Sequence, residues 1–141
     1  MRKQFGCLLF VIVFCVTQGH GQDQRERQEA QVRELIAKFA DARNKHDLPT
    51  LIALYAYDAE WISSNGGFNR GRQAILTMWS RQVQTVDHVD RTISQIDQPG
   101  PNIAVVHVSQ QYPPPLGVHE EVFVLVKENE DWKIRIHQLI K

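Results

Sequence analysis

Along this chain the hydrophobic residues change their spacing once for good, and that change limits the fold more than any other feature. Before residue 86 they recur mostly every three to four positions; beyond it they recur every second position to the C-terminus. Helices first and alternating strands last define an α+β domain, because each strand buries one face and the helices must cover it. Short connections between the late strands imply antiparallel hairpins.

The chain divides accordingly. A first amphipathic helix is predicted over residues 23–45, with Val32, Leu35, Ile36, Phe39 and Ala40 as its buried stripe and a solvated entry around Arg25 to Glu29. Asp47 is placed to cap a second helix, Pro49 fits its opening turn, and Leu48, Leu51, Leu54 and Tyr55 follow at helical spacing. Glu60-Trp61-Ile62-Ser63 reads as a short strand closed by Asn65-Gly66-Gly67. A third helix after Gly71 turns Ile75, Leu76, Trp79 and Val83 to one side. Strands are then predicted over residues 86–96, 103–112, 118–127 and 132–140. On the first of them Val89, Arg91 and Ile93 share a side.

Residues 1–21 have the pattern of an export signal: basic Arg2 and Lys3, an apolar run from Phe5 to Val16, then Gly19-His20-Gly21 before a cleavage point at Gln22. The expectation is one domain over residues 22–141 in the periplasm or outside the cell, without a membrane anchor after cleavage. Cys7 and Cys15 both lie in the leader, so disulfides, thiol nucleophiles and thiolate metal sites are excluded from the domain itself. Sixteen basic residues balance sixteen acidic ones, and losing Arg2 and Lys3 leaves the domain at −2. No basic stripe supports nucleic-acid binding.

Register across the late strands nominates a site. A hairpin centred on Pro115 sets His107 opposite Phe123, Ser109 opposite Glu121 and Gln111 opposite His119. A turn between Asn129 and Glu130 sets Leu125 opposite Ile134 and Phe123 opposite Ile136. One face then carries Val105, His107, Ser109, Gln111, His119, Glu121, Phe123, Leu125, Trp132, Ile134, Ile136 and Gln138, under the helices. The other carries Val106, Val108, Val122, Val124 and Val126 with Lys133, Arg135 and His137, which suits a homodimer contact. A one-residue slip in either turn exchanges faces.

His107 with Glu121 is the candidate catalytic pair, since a carboxylate among aromatic walls loses hydration and a histidine beside it can hold a proton. The same two side chains also read as a structural pair without turnover. Tyr55, Trp61, Ser63, Trp79, Ser109, His119, Phe123, Trp132 and Gln138 are the candidate ligand-binding residues, around a small apolar or amphipathic molecule. His107, His119 and Glu121 could supply three metal ligands, but no metal-binding spacing, no cofactor motif and no Gly-x-Ser-x-Gly elbow is present.

Asp47-Leu48-Pro49-Thr50-Leu51 leading to Tyr55-Ala56-Tyr57-Asp58-Ala59, then Gly71-Arg72-Gln73-Ala74-Ile75 and Trp132-Lys133-Ile134, resemble the nuclear transport factor 2-like superfamily. Within it, the exported SnoaL-like branch is the nearest in pattern. The resemblance implies a cone: a strongly curved, mostly antiparallel sheet with three helices on its concave face, a pocket between them, and a dimer through the outer side. It also implies relatives that are ketosteroid isomerases, polyketide cyclases or dehydratases, besides proteins that only bind. Two departures stand out. Ser63 occupies the place of the isomerase branch's aspartate base, and Ile136 and Gln138 stand where many relatives carry inward histidines. The expected function is therefore small-molecule binding. The alternatives are an isomerase, cyclase or dehydratase using Glu121 or His107 as base with Tyr55 or Ser63 as hydrogen-bond donor, or an assembly module without catalysis.

Overall fold

Helix α1 (Gln18–Asn44) lays Val32, Leu35, Ile36, Phe39 and Ala42 along the core and is fastened at its far end. There the Asn44 amide donates to the Val89 carbonyl and accepts from the Val89 amide, both at 3.0 Å. The computed structural model describes residues 18–140, with side chains from residue 21, so residues 1–17 of the expected 1–21 leader lie outside the described residues.

Helix α2 (Leu48–Ala53) begins as expected, the Asp47 carboxylate accepting from the Thr50 amide at 3.1 Å. The helix stops earlier than its apolar spacing suggests. Tyr55 opens strand β1 (Tyr55–Ile62) instead, because the last strand captures this backbone: the Ile134 amide donates to the Leu54 carbonyl at 2.8 Å. A short strand β2 (Phe68–Arg70), expected only as loop, folds back on β1 with Trp61 opposite Asn69. Gly71, at φ +82°, turns the chain into α3 (Arg72–Gln82), which buries Ile75 and Trp79.

Strands β3 (Asp90–Gly100), β4 (Ile103–Gln111), β5 (Val118–Glu128) and β6 (Asp131–Leu139) complete one six-stranded sheet in the order β2-β1-β6-β5-β4-β3. Only β1 and β6 run parallel. The sheet is curved and unclosed, with the three helices against it, as the α+β cone requires.

Register corrects two expectations. The turn between β4 and β5 closes with the Tyr112 amide donating to the Gly117 carbonyl at 2.9 Å, which centres it between Pro114 and Pro115. His107 therefore opposes Val122, and Val108 opposes Glu121. That half-residue shift of centre exchanges the faces of β4: Ala104, Val106, Val108 and Gln110 go inward, fully buried, while His107 and Ser109 face away. The second turn is as expected, Asn129 and Glu130 both adopting positive φ and Leu125 opposing Ile134. Beyond it, a bulge at Arg135 adds one residue to β6, so Phe123 opposes His137 rather than Ile136. His137 thereby enters the core and Gln138 leaves it.

A chain of buried polar side chains beneath the helices

Five side chains from α3, β1, β3, β5 and β6 meet under α1. Trp79 Nε1 donates to the Tyr55 hydroxyl at 3.0 Å, and that hydroxyl lies 2.8 Å from His137 Nδ1. His137 Nε2 lies 2.8 Å from Glu121 Oε2, and Arg91 Nε donates to Glu121 Oε1 at 2.8 Å. Glu121 and His137 are wholly buried, and the Arg91 side chain is 2% exposed.

One arrangement of protons satisfies every link of the chain from Trp79 to Arg91 Nε. Glu121 is ionised, because it receives Arg91; His137 is neutral with its proton on Nε2, donated to Glu121; and Nδ1 accepts from the Tyr55 O–H. A doubly protonated His137 would leave the Tyr55 O–H without an acceptor among the described residues. Ionisation follows the same sense. Burial alone pushes the Glu121 carboxyl up, but the charge of Arg91, the hydrogen bond and charge of His137 and the Arg91 hydrogen bond together hold it below its ordinary value. Burial lowers His137, and the neighbouring carboxylate only partly offsets this. Burial raises the Tyr55 hydroxyl, which stays neutral.

Phe39 of α1 closes the chain from above. Its ring meets Tyr55, Trp79, Phe123 and His137 edge-on, with centroids 6.3, 5.8, 5.0 and 5.4 Å away, and the Arg91 guanidinium lies 5.2 Å from its centre. Phe123 stacks on the imidazole at 4.2 Å. Both His137 nitrogens and both Glu121 oxygens are engaged, so neither group has a free atom aimed at a substrate in this arrangement.

The expected site residues therefore separate into two groups. Tyr55, Trp61, Trp79, Glu121, Phe123 and Trp132 are buried on the inner face. Trp132 reaches α1, its Nε1 donating to Gln31 at 3.3 Å. The remainder do not join them. His107 and Ser109 are on the outer face of β4, Gln138 is exposed, and Ser63 is held in the β1–β2 turn by the Gly67 carbonyl and Asn65. His119 lies on the inner side at the hairpin end of β5, bonded to the Leu116 carbonyl at 3.0 Å. The pair His107–Glu121 is thus replaced by His137–Glu121, and the three-ligand grouping of His107, His119 and Glu121 does not form, His107 facing away from Glu121. No group of His, Cys, Asp or Glu suited to a metal occurs among the described residues.

The burial of Arg91 is legible in the spacing of β3. An arginine between inward Val89 and Ile93 must be buried, and a buried guanidinium needs a carboxylate. His137 had no comparable signal, since the sequence of β6 alternates without interruption through the bulge.

Solved structures share the architecture at low identity. A nuclear transport factor 2-like protein of unknown function from Shewanella oneidensis superposes with a TM-score of 0.70 at 18% identity, over 79% of this chain and 98% of that one. A ketosteroid isomerase-like protein from Erwinia carotovora gives 0.65 at 18%, over 79% and 95%. A protein provisionally assigned as a scytalone dehydratase, from Novosphingobium aromaticivorans, gives 0.70 at 16%, over 84% and 86%. No curated protein matches the chain. The SnoaL-like domain model matches residues 36–140, the whole span from mid-α1 to the end of β6, and the chain belongs to that family.

Proposed function

We propose that this domain binds a small, partly apolar molecule between its helices and sheet without transforming it. The observation that carries the reading is the state of the Trp79–Tyr55–His137–Glu121–Arg91 chain: buried, linked end to end with both His137 nitrogens and both Glu121 oxygens engaged, and roofed by Phe39. Such a chain is a fixed polar floor, and a general base would need a lone pair free to take a proton. The test is native mass spectrometry of protein purified from its host. A retained small molecule is expected; repeated preparations carrying none would reject the reading.

Catalysis of the isomerase, cyclase or dehydratase kind is the second reading, favoured by one observation. His137 beside an ionised, buried Glu121 is the arrangement of a poised base, and a ligand that drew the Tyr55 hydroxyl away would expose Nδ1. The names of the dehydratase and isomerase-like neighbours point the same way. Glu121→Gln separates the readings, since it should end any turnover while leaving ligand retention in place.

Export, and a homodimer formed through the outer sheet face, remain part of the proposal. Val106 and Val108 are withdrawn from that interface because both are fully buried, which leaves Val122, Val124 and Val126, half-buried on the outer side. Val124→Glu should convert a dimer to monomer in sedimentation velocity. An unchanged sedimentation coefficient would remove this interface.

A further inference from the structure

Beyond Arg91 the polar chain ends at a corner whose groups it does not use, where the C-terminus of α1 meets the start of β3 and the end of β4. The Asn44–Val89 pair ties these elements together, and beside it Arg43 Nη1 donates to the Asp87 carbonyl at 3.3 Å and reaches Asn44 Oδ1 at 3.4 Å. Arg91 and Gln110 are partners across the β3–β4 ladder, so their side chains lie next to each other on the inner face. Arg43 is 3% exposed and Gln110 fully buried. Yet Arg43 Nε, Arg91 Nη1 and both amide atoms of Gln110 have no hydrogen-bond partner among the described residues.

Two features of these groups define a complement. The buried charges do not balance: Arg43 and Arg91 act on each other as like charges, and among the described residues Glu121 is the one buried carboxylate set against the two, Asp87 offsetting Arg43 only from the surface. The hydrogen-bonding capacity is mixed as well. Both guanidiniums offer N–H only, whereas Gln110 offers an N–H and a carbonyl, and turning its amide over exchanges the two without changing the demand. A lone anion leaves the Gln110 carbonyl unmet, and a neutral polar group leaves the positive charge unmet.

We infer that this corner is a subsite for a small monocarboxylate bearing a hydroxyl next to its carboxylate, the oxyanion accepting from Arg43, Arg91 and Gln110 and the hydroxyl donating to the Gln110 carbonyl. The inference rests on the binding reading of the domain and names the class of ligand for it. Arginine suits the role, since its planar fork matches a carboxylate and cannot lose its charge.

The test uses the intact protein, glycolate as probe, and acetate and glycolamide as controls at matched ionic strength. Near saturation, glycolate should raise the Tm by about 3 °C or more over sodium chloride. Acetate should bind at least tenfold more weakly by calorimetry, and glycolamide should not bind. Gln110→Leu should keep or raise the basal Tm, because it removes buried atoms that lack partners, and should weaken glycolate at least tenfold. A glycolate response no greater than that of chloride overturns the subsite. So does glycolamide or acetate matching glycolate, or a Gln110→Leu protein that melts several degrees lower and still binds. If native mass spectrometry meanwhile finds a neutral molecule retained, the subsite fails and the binding reading stands.

Discussion

Glu121→Ala should lower the unfolding free energy by about 3–5 kcal/mol, a large part of the whole for a domain of this size. The loss comes less from the missing attraction than from what stays behind. Arg91, its side chain 2% exposed, would face Phe39 with no counter-charge, and the His137 Nε2 proton would lose its acceptor. Arg43, already depressed by burial and by Arg91, would lose one of the two carboxylates that offset them. Urea unfolding at neutral pH measures the effect. A second variant identifies the cause: Glu121→Leu combined with Arg91→Met removes both charges and should recover most of the loss, since an apolar pair of similar volume replaces a buried ion pair at little cost. A single-variant loss below about 1 kcal/mol would show that water already solvates the pair.

Acid should undo the same pair in two stages. His137 titrates below its ordinary 6.5 in the folded protein, so from about pH 6.5 downward the unfolded chain binds the proton first and stability falls. Glu121 titrates below its ordinary 4.5, so a second decline begins near that pH for the same reason. Both contributions are complete above their unfolded values. In the Glu121→Leu, Arg91→Met background the second decline should be smaller.

Local signals made the helices, the cap at Asp47 and the turn at Asn129-Glu130 readable, because each depends on neighbouring residues alone. The sheet's inner face was harder. In the loop holding Pro113, Pro114 and Pro115, moving the centre by half a residue preserves every turn residue and reverses every side chain of β4. Composition contained the answer: Ala104, Val106 and Val108 form a more apolar set than Val105, His107 and Ser109, and belong opposite Phe123 and Leu125. The bulge at Arg135 is different. Its strand carries neither Gly nor Pro and alternates regularly, so the turning of His137 inward is a property of the pairing with β5 rather than of β6 itself. The family resemblance suggested a histidine there, and the unbulged register concealed it.

Phe39→Ala should cost about 3–5 kcal/mol and at the same time create a binding site. Phe39 is fully buried, and its ring holds four aromatic neighbours and the Arg91 guanidinium in place, so the surrounding side chains cannot simply close over the gap. The resulting cavity would sit over the imidazole of His137, walled by Tyr55, Trp79 and Phe123. A space of that lining takes up small apolar molecules. Benzene should therefore raise the melting temperature of the variant and leave the native protein unchanged. If benzene stabilised both equally, Phe39 would already move aside in solution, and the closed roof above Glu121 and His137 would be a door. In that event the base at His137 would be within reach of a ligand, and the catalytic reading would gain over simple binding. If it stabilised the variant alone, ligands of the native protein must engage it away from the imidazole, and the polar corner at Arg43, Arg91 and Gln110 holds three of the five unpartnered buried donors among the described residues, Trp61 Nε1 and Gln98 Nε2 being the others.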